Sequence, residues 1–295
     1  MDNALAQPTP AMPLIIAAAR HCDVGLLRRE LDSGVSVDLE DFTGRTPLQV
    51  VCNTTRGHLQ ELGCKESDRT ACVQLLIDRG ACVDAGLPYN PGRSHFPSLV
   101  NFTPLMYVAR RNNLEVVKML LCAGADANAQ IMCGSDPNLP LCRAVLEYCR
   151  CSSRASQAEH AEMAASLEEK RQCAFVVDAL LKAGADPNGP KDSDRSAIEW
   201  AIGAGEIGCD NRPLWPILLR AGAILPTDDC VYFSNWATHR AHPYLQKIEA
   251  AGGWKAYEKA HRAKLLATFT PKFTHLLPPE LVPLILEFSF HLGFY

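Results

Sequence analysis

Apolar side chains recur along the chain at helical rather than strand spacing. In residues 114–121 they lie three and four positions apart, as on the buried face of an amphipathic helix: Leu114, Val117, Leu120 and Leu121. A shorter apolar segment precedes this helix and starts with Thr103-Pro104, a threonine suited to cap a helix and a proline suited to its first position. The pattern therefore predicts two short helices joined by a turn.

This helix pair recurs along the chain. Residues 101–129, NFTPLMYVARRNNLEVVKMLLCAGADANA, share their second half with TACVQLLIDRGACVDAG at 70–86 and CAFVVDALLKAGADPNG at 173–189. Together with fainter matches towards both ends, they make five repeats. Each second helix stops at a glycine, the residue that best accepts the left-handed conformation of a helix C-terminus: Gly34, Gly80, Gly124, Gly184 and Gly222.

The repeats resemble the ankyrin repeat. The resemblance is close at 101–129 and covers about residues 11–226, and it implies an all-α, ankyrin-type helical repeat solenoid. It also implies a non-catalytic protein–protein interaction scaffold that binds a protein or peptide through its concave groove and finger loops. The histidine of the family's Thr-Pro-Leu-His motif is replaced here by Gln49, Met106, Cys142 and Glu199. We therefore expect the threonine–histidine hydrogen-bond network to be absent and the repeats to be individually weaker.

Two of the repeats are longer than the others. Pro47 and Pro104 lie 57 residues apart, whereas Pro13 and Pro47 lie 34 apart. The additional residues form three insertions, near 54–69, 85–100 and 151–172. The last insertion carries alanines and apolar residues at helical spacing without a helix breaker. We therefore expect a serine-rich turn there, followed by an early start of the fourth repeat's second helix.

The chain continues beyond the repeats in two parts. Residues 227–275 offer apolar side chains to cap the end of the stack, and Gly252-Gly253 should divide this extension into two helices. Residues 276–295, LLPPELVPLILEFSFHLGFY, predict an apolar C-terminal helix. One face of this helix carries Leu281, Leu284, Ile285 and Phe288. Val282, Leu286 and Phe290 lie off that face, so the helix is apolar nearly all round and needs two surfaces to pack against. We expect it to pack on the rest of the chain as a cap.

Part of the C-terminal segment, LPPELVPLILEF, also resembles the opening of an F-box. That resemblance implies an alternative function, namely a substrate receptor of a ubiquitin ligase that is recruited through this segment. Glutamate substitutions of Leu284 and Ile285 separate the two hypotheses, because loss of a packed helix lowers stability whereas loss of a docking site does not.

Composition and charge narrow the classes of partner. The 295 residues carry a formal net charge of −4, and the longest basic runs are the pairs Arg28-Arg29 and Arg110-Arg111, so we expect no nucleic-acid partner. We find neither a signal peptide nor an apolar run long enough to span a membrane. The thirteen cysteines lie irregularly among apolar residues, as free thiols do in a reducing compartment. We therefore expect a monomer located in the cytoplasm, with the nucleus as the alternative compartment.

No motif predicts an enzyme or a cofactor site. GAGEIG at 203–208 matches a phosphate-binding pattern, but the segment before it has the pattern of a helix rather than of the strand that such a loop requires. Two groups of cysteines have irregular spacing for zinc, and we interpret them as buried thiols, with zinc sites as the alternative. These groups are Cys133, Cys142, Cys149 and Cys151, and Cys52, Cys64 and Cys72 with His58.

The candidate partner-binding residues lie on the fingers and at the exposed ends of the first helices. Aromatic residues and arginines are frequent among them, and these types anchor protein interfaces. Tyr89 and Phe96 occur in the extended second finger, where they could instead pack back onto the stack. The full set is Phe42, Tyr89, Arg93, His95, Phe96, Arg110, Arg111, Asn113, Gln130 and Met132.

Overall fold

The computed structural model describes residues 12–86, 102–130, 139–157, 160–189, 195–203, 211–226 and 242–273, together with 278, 280–282 and 284–285. Every regular element in these residues is an α-helix, which confirms the all-α fold class. The chain divides into two compact units. The first contains Met1–Tyr148 and Glu168–Asp186, and the second contains Cys149–Leu167 and Pro187–Tyr295. The domain boundaries given above stay predictions.

Pairs of helices build the first unit. The first helices of its repeats are α1 (Leu14–Arg20), α3 (Pro47–Asn53) and α6 (Pro104–Arg110). The second helices are α2 (Val24–Asp32), α5 (Glu66–Asp78) and α7 (Leu114–Cys122). α1 packs on α3 and α3 on α6, while α2 packs on α5 and α5 on α7. First helices and second helices therefore form separate layers.

The apolar core lies between these helices. Leu48, Leu105 and Leu120 have no exposed surface, and burying a leucine side chain contributes about 1.5–3 kcal/mol. Ala18 and Ala19 in α1 are buried as well, and their small side chains allow a neighbouring helix to approach closely.

The helix ends follow the sequence pattern. Thr46 Oγ1 accepts a hydrogen bond from the Gln49 N–H at 3.4 Å, and Thr103 Oγ1 accepts one from the Met106 N–H at 3.3 Å. A proline occupies the first helical position in both α3 and α6. The five glycines that end the second helices have φ values from 80° to 101°. These predicted helix ends are therefore confirmed.

Gln49 restores a hydrogen-bond network in the second repeat. Its side chain is 1% exposed. Its Oε1 accepts from the Thr46 N–H at 2.8 Å, and its Nε2 donates to the carbonyl oxygens of Ala85 and Phe102, both at 2.9 Å. The threonine–histidine network is absent as expected, but in this repeat a glutamine amide takes its place, because it supplies both an acceptor and a donor.

Consecutive repeats are joined at the fingers, the projecting turns that follow each second helix. An aspartate or asparagine four residues after each of the first four helix-ending glycines accepts from a backbone N–H of the next repeat. The donor–acceptor pairs are Cys82 to Asp38 (3.1 Å), Asp126 to Asp84 (2.9 Å), Asp186 to Asn128 (2.7 Å) and Ile224 to Asn188 (2.8 Å). We call this series the finger ladder.

The insertions are largely helical where they are described. The first one contains a short helix, α4 (Arg56–Glu61), between α3 and α5. The third one lies in α8 (Pro140–Gln157) and α9 (His160–Lys182). The early start of the fourth repeat's second helix is thus confirmed, but the serine-rich turn is wrong, because residues 151–157 continue α8. Residues 87–100, which hold most of the second insertion, lie outside the described residues.

The second unit contains α10 (Ala197–Gly203), α11 (Leu214–Arg220), α12 (Pro243–Ala250) and α13 (Trp254–Phe273). Gly252 and Gly253, with φ values of 81° and 112°, separate α12 from α13 as predicted. Trp215 of α11 meets His242 edge-on at 5.2 Å and stacks on Tyr244 at 6.3 Å between ring centroids. Arg220 Nε lies 3.2 Å from Glu258 Oε1. The extension therefore packs against the fifth repeat's second helix.

The described part of the C-terminal segment corrects the predicted helix face. Val282 is 1% exposed and packs against four residues of α13: Leu265, Leu266, Phe269 and Phe273. Leu281, Leu284 and Ile285, which were expected to be packed, are 41%, 59% and 45% exposed. Phe288 lies outside the described residues. Contact with α13, and not the helical period alone, selects the side chain that is buried.

Candidate partner-binding surface

A turn at residues 41–45 shapes the tip of the first finger. The Asp41 carboxylate accepts from the backbone N–H groups of Thr43 (2.8 Å) and Arg45 (3.0 Å), and from the Thr43 hydroxyl. The Arg45 guanidinium adds two contacts to the other carboxylate oxygen, at 3.2 and 3.0 Å. Burial alone would raise the pKa of Asp41, but the hydrogen bonds and the Arg45 charge lower it below its usual value. The carboxylate is thus ionised at neutral pH and fixes the turn.

Phe42 lies within this fixed turn. Its side chain is 73% exposed, although Asp41 beside it is only 6% exposed. Leu39 on the same finger is 38% exposed. The first finger therefore presents an aromatic side chain to solvent from a backbone that is already ordered.

Arg110 and Arg111 lie at the end of α6, and both are half-buried. Arg111 donates from Nε to the Asn53 carbonyl oxygen at 3.2 Å and from Nη2 to Asn53 Oδ1 at 2.8 Å. Burial, followed by the neighbouring Arg110 charge, lowers the pKa of Arg111. Arg111 thus joins α6 to α3, whereas Arg110 has no hydrogen bond or ion pair with the residues that the structure describes.

The remaining candidates have different surroundings. Asn113 caps α7 by accepting from the Val116 N–H at 3.1 Å, and its Nδ2 donates to Glu66 Oε2 at 3.3 Å. Gln130 is exposed at the end of the described part of the third finger. Five candidates lie outside the described residues: Tyr89, Arg93, His95, Phe96 and Met132.

Three charged residues near these candidates were not among the sequence candidates. Arg45 holds the first finger turn, while Arg56 and Arg69 both contact Glu66. Arg45 follows a glycine in the turn and precedes the capping threonine, a position that could have suggested a role. Nothing in the local sequence marks Arg56, because its partner Glu66 belongs to the next helix, where it is the first residue of α5. Arg69 contacts the same Glu66 from one turn further along α5.

Three cysteines of the first unit, Cys22, Cys52 and Cys72, are buried thiols, whereas Cys64 is half-buried and Cys82 and Cys122 are exposed. Burial raises the pKa of Cys22 to about 11 and that of Cys72 to about 12, and it also raises the pKa of Cys52. Within the described ranges, no three histidine, cysteine or acidic side chains are placed to hold a metal ion. Cys133 and most of GAGEIG lie outside those ranges. In the same ranges, no helix is long and apolar enough to cross a membrane.

Comparison with known proteins agrees with this architecture. A family model described as ankyrin repeats (3 copies) matches residues 7–131. The mouse protein named B-cell lymphoma 3 protein homolog is 37% identical over 122 residues, which are 40% of this chain and 22% of that protein. The chain therefore spans less than a quarter of the length of this relative. The F-box-like segment lies outside the family match. Residues 7–131 of this chain are ankyrin repeats, a repeat class that mediates protein–protein interaction.

Proposed function

We propose that this chain is a non-catalytic scaffold that binds a protein or peptide through the fingers and first-helix ends of its first unit. The observation that carries the proposal is Phe42, which is 73% exposed on a turn fixed by the Asp41 carboxylate. A large aromatic side chain gains free energy when a partner covers it. The ordered turn lowers the entropic cost of binding, because the side chain is already presented.

Replacement of Phe42 by alanine tests this proposal. Partners would be selected from a displayed protein-fragment library on the full chain, and their affinities measured by calorimetry. We expect Phe42→Ala to weaken binding by about 2 kcal/mol, the size of an interface hot spot, and to leave the melting temperature nearly unchanged. Ile224→Ala is the matched control, because Ile224 is 70% exposed on the last described finger. Equal losses from both substitutions would contradict a specific role for Phe42.

The other candidates belong to the same proposal. Gln130 and Arg110 extend the surface beyond the first finger, and Tyr89, Arg93, His95, Phe96 and Met132 are proposed as contacts from the second and third fingers. Combined Tyr89→Ala and Phe96→Ala substitution should weaken binding of the selected fragments without lowering the melting temperature. A large fall in melting temperature would instead assign these rings to the core.

A second candidate function is a ubiquitin-ligase substrate receptor that is recruited through residues 276–295. It is supported by Leu281, Leu284 and Ile285, which leave an apolar side of the tail exposed. Leu284→Glu with Ile285→Glu should abolish adaptor binding in a pull-down and hardly change stability. Val282→Glu is the contrasting variant, since it places a charge against α13 and should lower stability by several kcal/mol. A strongly destabilised Leu284/Ile285 variant would favour an intramolecular cap.

We further propose that the chain is a monomer that functions in the cytoplasm, with the nucleus as the alternative compartment. Light scattering coupled to size-exclusion chromatography tests the first statement, and imaging of a tagged full chain tests the second. A concentration-dependent mass would contradict the monomer.

A further inference from the structure

Two arginines of the first unit share one carboxylate. Arg56 Nε and Arg69 Nη2 lie 3.4 and 3.2 Å from the same oxygen of Glu66. The other oxygen of Glu66 accepts from Asn113. The Arg69 side chain is 1% exposed, and its Nε makes no hydrogen bond with the described residues. A buried cation is stable only when it is well paired, and here one carboxylate serves two guanidinium groups.

The neighbouring pair Arg110-Arg111 has even less compensation. The hydrogen bonds of Arg111 end on the neutral amide oxygen and backbone carbonyl of Asn53. Its pKa is lowered by burial, then by Arg110, and also by Arg69, while Glu147 is the acidic group that opposes this effect. The cations are therefore close enough to repel one another.

The series of cations extends to the first finger. Burial raises the pKa of Tyr107, while Arg45 and Arg110 both lower it, so the two guanidinium groups lie within electrostatic range of the same hydroxyl. Arg45 is compensated by Asp41 in a two-contact pair. Arg110 therefore acts on the same hydroxyl as the compensated Arg45, and it has no ion pair with the residues that the structure describes.

We propose that Arg110, together with Arg111 and Arg56, binds an aspartate- and glutamate-rich segment of a protein partner. This inference rests on the proposed function, because it names the class of partner for that same surface. Three features support it: the excess of guanidinium groups over carboxylates, the absence of an ion pair at Arg110 within the described residues, and the 53% exposure of the Arg56 side chain. Guanidinium groups form short, charge-assisted hydrogen bonds with carboxylates.

The arrangement favours several carboxylates over one phosphate group. Arg56 comes from α4, Arg69 from α5, and the pair Arg110-Arg111 from the end of α6. A single phosphate needs several donors that converge on one point, and the two donors that do converge, those of Arg56 and Arg69, already meet on one oxygen of Glu66. The arginines of this series that already have an acidic partner, Arg45, Arg56 and Arg69, each contact a side-chain carboxylate. A segment with spaced acidic residues reproduces that chemistry along the surface.

The test uses the full chain and three matched sets of fluorescein-labelled peptides. One set carries aspartate and glutamate around an apolar residue, the second replaces every acid by its amide, and the third replaces the acids by phosphoserine. We expect the acidic set to bind most tightly and more weakly as salt is raised. Arg110→Gln should lower its affinity about ten-fold, the loss expected for one charge-assisted hydrogen bond.

The control is Arg28→Gln with Arg29→Gln, which removes charge from another adjacent arginine pair, exposed on α2. This control should change the affinity less than about two-fold. Equal affinity for acidic and amide peptides, tighter binding of the phosphoserine set, or an equal loss in the control would overturn the inference. If peptides bind in a Phe42-dependent way without preferring acids, only this inference fails. If no peptide of any set binds, the proposed function fails with it.

Discussion

The second and third repeats place different side chains at two equivalent positions, that of the family histidine and that of the finger ladder. At the position of the family histidine, the second repeat buries Gln49, whose amide bonds three backbone groups, whereas the third repeat buries Met106 with no exposed surface. At the finger ladder the second repeat uses Asp84, which only accepts, whereas the third uses Asn128. The Nδ2 of Asn128 also donates to the Gly184 carbonyl oxygen at 2.9 Å.

The difference follows from what each repeat must hold in place. The carbonyl groups that Gln49 bonds belong to Ala85 and Phe102, which lie on either side of residues 87–101. One amide nitrogen therefore brings together both ends of a long insertion, and this offsets part of the entropic cost of closing it. The methionine of the third repeat contributes only apolar burial. A polar core residue thus occurs where the chain between two helices is longest in the described repeats of the first unit.

The largest expected effect comes from removing the amide. Gln49→Ala should lower the free energy of unfolding by about 4 kcal/mol, because the Thr46 N–H and the Ala85 and Phe102 carbonyl groups lose their partner together. Urea denaturation measures the change. Gln60→Ala, at an exposed glutamine on α4, should stay within about 0.5 kcal/mol of the natural chain. A Gln49 variant as stable as this control would show that the network contributes nothing.

The corresponding change in the third repeat should cost somewhat less. Met106→Ala removes a fully buried side chain and should lower the free energy of unfolding by about 3 kcal/mol through lost burial and a residual cavity. Met163→Ala, at a methionine 39% exposed on α9, is the control for the substitution itself. If Met106→Ala proves as mild as that control, the site collapses around the smaller side chain. The third repeat would then not depend on burial of Met106 for its stability.

The capping threonines should behave alike in the two repeats. Thr46→Ala and Thr103→Ala should each lower the free energy of unfolding by about 1 kcal/mol, because each hydroxyl accepts from the backbone N–H three residues later. Serine at either position should restore most of the loss. A much larger effect at Thr46 would indicate that its cap and the Gln49 network are energetically coupled, which a double substitution would measure.

The smallest effect concerns the ladder. Asp84→Asn should raise the free energy of unfolding by about 0.5 kcal/mol, since an asparagine can donate to the Gly124 carbonyl as Asn128 does to that of Gly184. The reciprocal change, Asn128→Asp, should lower it by a similar amount. Two changes of the same sign would show that charge, and not the additional hydrogen bond, controls stability at this position.

The sequence predicts the parts of the fold that depend on neighbouring residues. The threonine caps, the prolines at helix starts and the glycines at helix ends are local signals, and the structure confirms them. The role of Gln49 could not be predicted in this way, because its two carbonyl partners lie 36 and 53 residues further along the chain. The prediction that Leu284 and Ile285 are packed was wrong for the same reason, because contact with α13 determines which side of the C-terminal segment is buried.

In the candidate site, too, features that depend on neighbouring residues could be predicted, and features that depend on distant partners could not. An exposed aromatic on a finger could be predicted for Phe42, because turn residues there contribute little to the core. The positions of Arg56 and Arg111 depend on partners from other helices, and a pair of adjacent arginines in the sequence does not reveal which one is already bonded.

The hydrogen bonds of the finger ladder all run in one direction along the chain, from an acceptor in one repeat to a donor in the next, and the series ends at the fifth repeat. Each of the first four repeats supplies an acceptor to the following repeat, through the same position four residues after the helix-ending glycine. In the fifth repeat that position is Pro226, whose side chain can accept nothing. Duplicated repeats could therefore be spliced in after any of the first four and continue the series. A copy placed after the fifth repeat would lack this hydrogen bond, because Pro226 cannot accept it, and the series of linked repeats therefore ends at this proline.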